Sequence, residues 1–163
     1  MIIDLSVVPV SCGTNYPEPF RAAVAGRSRQ RVGNAAGLTN FGVNLTTLAP
    51  GAQSALRHWH SHQDEFIYVV SGKLILVTDA GETLLTAGMM AGFPAGVADG
   101  HHLLNRSDEI ATYLEIGDRT PNDWAKYPDD DLLAQPKPEG GYSFNHRNGE
   151  PYKGASPIQV DQA

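Results

Sequence analysis

The decapeptide RHWHSHQDEF (57–66) places His58, His60 and His62 at alternate positions and follows them with Asp64 and Glu65. The chain has six histidines; three are here and two more are adjacent at His101 and His102. In an extended strand side chains alternate faces, so the three histidines share one face and Arg57, Trp59 and Ser61 take the other. Imidazoles two residues apart bring their ring nitrogens close enough to grip one ion. A turn over 61–64 would return Glu65 beside them as an oxygen ligand. Neutral imidazoles with a carboxylate suit one divalent transition metal (Fe, Mn, Ni, Zn, Co or Cu) and not Ca or Mg. A solvated polar strand face would explain one such histidine, but explains three at period two less well.

The elements that must position these residues are short strands. FGVNLTTLAPG alternates Val43, Leu45 and Thr47 against Asn44, Thr46 and Leu48, then stops at Pro50-Gly51. FIYVV (66–70) and KLILVT (73–78) flank Ser71-Gly72 as a hairpin, and short strands follow within 79–88, 89–100, 101–105 and 110–117. This density of strands and turns predicts an all-β barrel or sandwich. The expected organisation is an irregular N-terminal arm over 1–40, a barrel over 41–118 and an extended C-terminal tail over 119–163, with room for a helical turn near Asn122–Tyr127. In the arm, Arg21, Arg27, Arg29 and Arg31 read as charges on a solvated segment, with an anion contact as the alternative.

The bulk numbers narrow the function classes. A chain of 163 residues supports one hydrophobic core. Its net charge of -6 works against phosphate backbones, so nucleic acid is not expected as a partner. Cys12 is the only cysteine, which excludes an intramolecular disulfide and a thiolate metal site. No apolar run reaches the ~20 residues of a membrane span, and the start lacks the basic region of a signal peptide, so no membrane association and a cytoplasmic location are expected.

Two stretches carry a family resemblance. GAQSALRHWHSHQDEFIYVVSG (51–72) resembles the first motif of the cupin superfamily, with Gly51, His58, His60, Glu65 and Gly72 in its places and one extra residue before His58. GMMAGFPAGVADGHHLLN (88–105) resembles the second, with Gly88, Pro94, Gly96 and Asn105 in place and a loop lengthened by about two residues before the histidine. The resemblance covers about residues 41–117 and is to small single-domain bacterial cupins with one conserved barrel. It implies a double-stranded β-helix, or jelly roll, enclosing one metal ion. The ligands it implies are His58, His60, Glu65 and one of His101 and His102. Neighbours in a strand point oppositely, and the family's His-x3-Asn spacing selects His101, with His102 as the alternative. His62 is left beside the ligands or at the rim, where it could move a proton.

A set of four ligands leaves coordination positions open, as a catalytic metal requires. The expected function is a metal-dependent enzyme on a small organic substrate bound through a carboxylate or enolate oxygen. Oxygenase, isomerase, lyase and decarboxylase chemistries all stay open. The alternative is a non-catalytic, metal-containing module that binds or senses a small molecule. Ile67, Val69 and Leu103 predict a mostly apolar interior and no inward arginine is evident, which favours a partly apolar substrate over a sugar phosphate. Tyr113 is a candidate substrate contact; Glu115 reads first as an exposed strand residue and second as a further carboxylate. Outward Phe66, Tyr68 and Val70 need cover, so a homodimer is expected.

Overall fold

The structure is a computed structural model and describes residues 2–138 and 141–152. Before residue 41 it has strands Val10–Cys12 (β1) and Arg27–Gln30 (β2), then a one-turn helix, Val32–Ala35 (α1). The barrel strands follow: Phe41–Leu48 (β3), Trp59–His60 (β4), Glu65–Ser71 (β5), Lys73–Thr78 (β6) and Gly81–Thr86 (β7). They continue as Met90–Phe93 (β8), His102–Leu104 (β9) and Ala111–Asp118 (β10). Beyond residue 118 come Ala125–Tyr127 (β11), Leu132–Pro136 (β12) and Tyr142–Asn145 (β13).

Alternation decides which side chains meet. β10 lies between β3 and β5, pairing Tyr113 with Thr46 on one side and with Val69 on the other. With β8, β2 and β1 these strands form a six-stranded sheet ordered β1-β2-β3-β10-β5-β8. A three-stranded sheet runs β7-β6-β9. The residues facing between strands close one core, in which Leu48, Val69, Leu74 and Tyr113 are almost fully buried. The result is an all-β jelly-roll barrel. At the β5–β6 hairpin Gly72 has φ 78°, and a Cβ there would lie 2.8 Å from the Ala111 Cα. Both the turn and the close approach of the next strand exclude a side chain.

The two ends of the chain differ from the sequence expectation. The segment before residue 41 is not irregular, because β2 pairs with β3 (Arg27 against Leu48, Arg29 against Thr46) and widens the main sheet. No helical turn forms at Asn122–Tyr127; β11 starts there instead and joins β12, β13 and β4 in a four-stranded sheet. These two segments share a second core of Tyr16, Val24, Leu56, Tyr127, Leu132 and Phe144, in which Tyr16 meets Tyr127 and Phe144 edge-on. Residues 139–140 and 153–163 of the expected tail lie outside the described residues. Among the described residues no helix is long and apolar enough to cross a membrane.

Candidate metal centre

The histidine strand is short. Regular pairing covers only Trp59 and His60, with an isolated bridge joining His58 to His101. Within that span alternation holds, and His58 and His60 face the same cavity. Glu65 at the start of β5 enters from the neighbouring strand and His101 from the bridge partner. Three imidazole Nε2 atoms converge on one carboxylate oxygen: Glu65 Oε2 lies 3.9 Å from His58, 3.7 Å from His60 and 2.9 Å from His101. His58, His60 and Glu65 each offer a ligand atom, and these three atoms lie within 4.8 Å of one another.

The partners of the imidazoles decide which nitrogen is free. His58 Nδ1–H donates to the Leu56 carbonyl (2.8 Å) and His60 Nδ1–H to Asp123 Oδ2 (2.6 Å). When neutral, each ring is therefore held with Nε2 bare toward the cavity, as a metal ligand must be. Burial acts to lower the His60 pKa, but Asp123 and Glu65 outweigh it and raise it. Burial drives the His58 pKa down to about 3, so its ring stays neutral and its nitrogen lone pair available. Burial acts to raise the Glu65 pKa, but the hydrogen bond from His101 and the neighbouring imidazoles outweigh it and hold the carboxyl ionised, well below the usual range. Two imidazole nitrogens and an ionised carboxylate, converging and mostly buried, fit a divalent transition metal. His101 differs: its Nε2 is engaged with Glu65 and its Nδ1 is buried without a partner among the described residues. Its ring stacks flat on Phe93 at 3.6 Å.

Of the expected pair, His101 points at Glu65, whereas His102 Nδ1 donates to the Ala55 carbonyl. Of the two places expected for His62, beside the converging side chains or at the rim, its ring does not take the first. The strand ends at His60, so the alternation stops; His62 is exposed and its ring meets the Ser61 hydroxyl. Asp123, invisible to the sequence reading, takes the place expected of it. This carboxylate is 2% exposed and accepts from His60, from the His62 backbone N–H (2.8 Å) and from the Tyr142 hydroxyl (2.8 Å). Burial would raise its pKa, yet these hydrogen bonds bring it down to about 2. It arrives from a turn whose Asn122 has φ 64°, a conformation asparagine tolerates.

The cavity in front of the three converging side chains has a volume of about 210 Å³, about seven waters' share of liquid volume. Its walls correct the sequence reading in three ways. Arg27 and Arg29, expected on a solvated arm, line it, so inward arginines exist. Glu115 also lines it and is not an exposed strand residue; it pairs with Arg29 (2.9 Å) and accepts from Asn44 (3.2 Å) and Tyr113 (3.4 Å). The Tyr113 hydroxyl is buried beside that carboxylate, which together push its pKa up and keep it protonated. The interior is therefore polar and charged at the cavity, not mostly apolar. RSRQ has no apolar residue to give a periodic signal, and its arginines at i and i+2 before a clear strand are the cue that was available.

Comparison with known proteins places this geometry in context. The family model described as a cupin domain matches residues 44–117. The chain is 44% identical to a sugar phosphate isomerase from a cupin superfamily of Silicibacter pomeroyi, covering 93% of this chain and 96% of that one at a TM-score of 0.90. It is 29% identical to a protein of Acidithiobacillus ferrooxidans provisionally named a sugar phosphate isomerase, covering 75% and 77% at a TM-score of 0.69. A polyketide cyclase from Streptomyces resistomycificus, 16% identical over 76% of this chain and 82% of its own at a TM-score of 0.62, shares the fold. No curated protein matches the chain.

Proposed function

Since this chain belongs to the cupin superfamily, we propose that it is a metal-dependent isomerase that moves a proton between adjacent carbons of a small sugar phosphate. The observation that carries the reading is the presence of Glu115, with Tyr113 beside it, in the same cavity as the convergent His58, His60 and Glu65. The cavity wall holds two carboxylates, Glu65 and Glu115. Glu65 is committed to the ligand group, so Glu115 is left to take a proton from carbon and return it. A divalent ion held by His58, His60 and Glu65, with His101 as a fourth donor, would supply Lewis-acid polarisation of the substrate carbonyl.

The residues of the chain have separate parts in this scheme. Tyr113, kept protonated by its surroundings, offers its hydroxyl hydrogen to negative charge developing on a substrate oxygen. Arg29 and Asn44 orient the Glu115 carboxylate. Tyr127, stacked on the His58 ring at 5.5 Å, and Phe93 on His101 exclude water from the ligand side. The named activity of the Silicibacter pomeroyi protein, at 44% identity over nearly the full length of both chains, supports this choice among cupin chemistries. Exposed Phe66 and Val70 belong to the same reading as the contact of a homodimer, which size-exclusion chromatography with light scattering would detect. The single, exposed Cys12 agrees with a reducing, cytoplasmic setting.

The test is proton exchange. The protein with its metal is incubated in D2O with aldose and ketose phosphates of three to six carbons, and proton NMR follows deuterium at the carbon next to the carbonyl. Isomer formation with deuterium uptake is expected, and Glu115→Gln should reduce its rate by about 10²–10⁴-fold. Binding of these compounds with neither exchange nor isomer would reject the isomerase and return the molecule to the class of binding modules.

A further inference from the structure

Arg27 and Arg29 lie two apart on β2, share its inward face and both reach the cavity wall. Arg27 is 8% exposed, and its guanidinium donates to main-chain carbonyls, those of Ser54 and Gly13 (3.1 Å). No carboxylate pairs with it among the described residues. Carbonyl oxygens satisfy its hydrogens without cancelling its charge, and a buried charge without a counter-charge is costly. Arg29 does have a carboxylate, but Glu115 is shared with Asn44 and Tyr113, and Arg29 Nε is buried with no partner among the described residues. Two guanidinium charges thus face one carboxylate.

The convergent side chains add to this imbalance. A divalent ion held by neutral imidazoles and the single negative charge of Glu65 would also leave net positive charge. A cavity of net positive charge is complementary to a dianion. Two planar forks from neighbouring positions of one strand suit a group with several equivalent oxygens. Asn15 lines the same cavity, and its side-chain amide has no hydrogen-bond partner among the described residues, so it is free to donate to an oxygen of the ligand.

We infer that Arg27, Arg29 and Asn15 form the subsite for the phosphate group of the substrate, in the cavity that His58, His60 and Glu65 also line. This deepens the isomerase reading and rests on it. All three residues lie before residue 44, outside the stretch that the cupin-domain model matches. Phosphate recognition therefore comes from the N-terminal segment, and the metal ligands come from the barrel.

The experiment is calorimetric titration of glycerol 3-phosphate, glycerol and succinate into the full-length, metal-loaded protein. It is run on wild type, Arg29→Gln and Arg27→Lys, with metal content measured on each. Glycerol 3-phosphate should bind wild type far more tightly than glycerol or succinate. Arg29→Gln should weaken it by about 10- to 100-fold at unchanged metal content, the loss of one or two charge-assisted hydrogen bonds. Arg27→Lys keeps the charge and loses the fork, so a smaller loss is expected; should that variant fail to fold, Arg29→Gln carries the test alone. Equal affinity in wild type and Arg29→Gln, or succinate bound as tightly as glycerol 3-phosphate, overturns the subsite. Binding that depends on Arg29 without turnover of any sugar phosphate keeps the subsite and rejects the isomerase. Turnover of a sugar phosphate with unchanged KM in Arg29→Gln does the reverse, whatever happens to kcat, since Arg29 also orients Glu115.

Discussion

Asp123 Oδ2 accepts from His60 Nδ1 at 2.6 Å and from the Tyr142 hydroxyl, while Oδ1 accepts from the His62 backbone N–H and from the Ser61 hydroxyl at 3.1 Å. Such a carboxylate behind an imidazole fixes the tautomer and raises the basicity of the far nitrogen. Asp123→Asn should therefore lower metal affinity by about 10- to 100-fold, measured by competition with a chelator, while Tyr142→Phe should cost less. His60→Ala should abolish binding, and His101→Ala should weaken it less, because the His101 Nε2 is already engaged with Glu65. The pair also carries a pH signature in metal-free protein. The Asp123 pKa falls from an ordinary 3.8 to about 2 on folding, so its contribution to stability is present above pH 3.8 and is lost as pH falls through 2. The difference in melting temperature between wild type and Asp123→Asn should shrink over that interval. At this scale the cluster of His58, His60 and Glu65 was legible by type and spacing, whereas His101 was selected over His102 only through the cupin resemblance. Asp123 was not legible, because it sits 63 residues from its partner in TPNDW, where no period marks it.

Strands whose alternation separates a buried from an exposed face were legible as well. β3, β5, β6 and β10 lie close to where their apolar periods predict, and the hairpin glycine could be read from Ser71-Gly72. Gly72→Ala should destabilise the fold by roughly 1–3 kcal/mol from the left-handed backbone alone, with more from the 2.8 Å approach to Ala111. Denaturant unfolding would measure it, and an unchanged midpoint would contradict the close packing of that hairpin on β10. The elements that were not legible have polar sequences or lack a long period. β2 reads RSRQ, with no apolar residue to mark an inward face, because its inward positions are occupied by the cavity's arginines. β4 is two residues long, so the expected third histidine position falls past its end. β11 to β13 alternate over three to five residues among prolines and glycines, too briefly for a period to stand out.

Taken as a whole, the molecule is one barrel with a second core built jointly by its two ends. Tyr16 from before the barrel and Tyr127 and Phe144 from after it pack ring against ring, and the same three residues line the metal cavity. Phe144→Ala should cost about 3–5 kcal/mol of stability, as for other large-to-small changes in a packed core. It should also loosen the hydrogen bond to Asp123 from Tyr142 on the same strand, so metal affinity should fall along with the unfolding midpoint. A fall in stability with metal affinity intact would show that the second core and the metal centre are independent. Nothing in the sequence announced this joint core, because its members are separated by most of the chain and become neighbours only after the barrel has formed.

The joint core has a consequence for how such a protein can be altered. The convergent His58, His60, Glu65 and His101 sit on the barrel. The arginine wall and the aromatic wall come from the two terminal segments, which meet each other as well as the barrel. Exchange of both ends together would change these walls while leaving His58, His60, Glu65 and His101 in place, so grafting both ends from one relative onto the barrel of another is the natural unit of redesign.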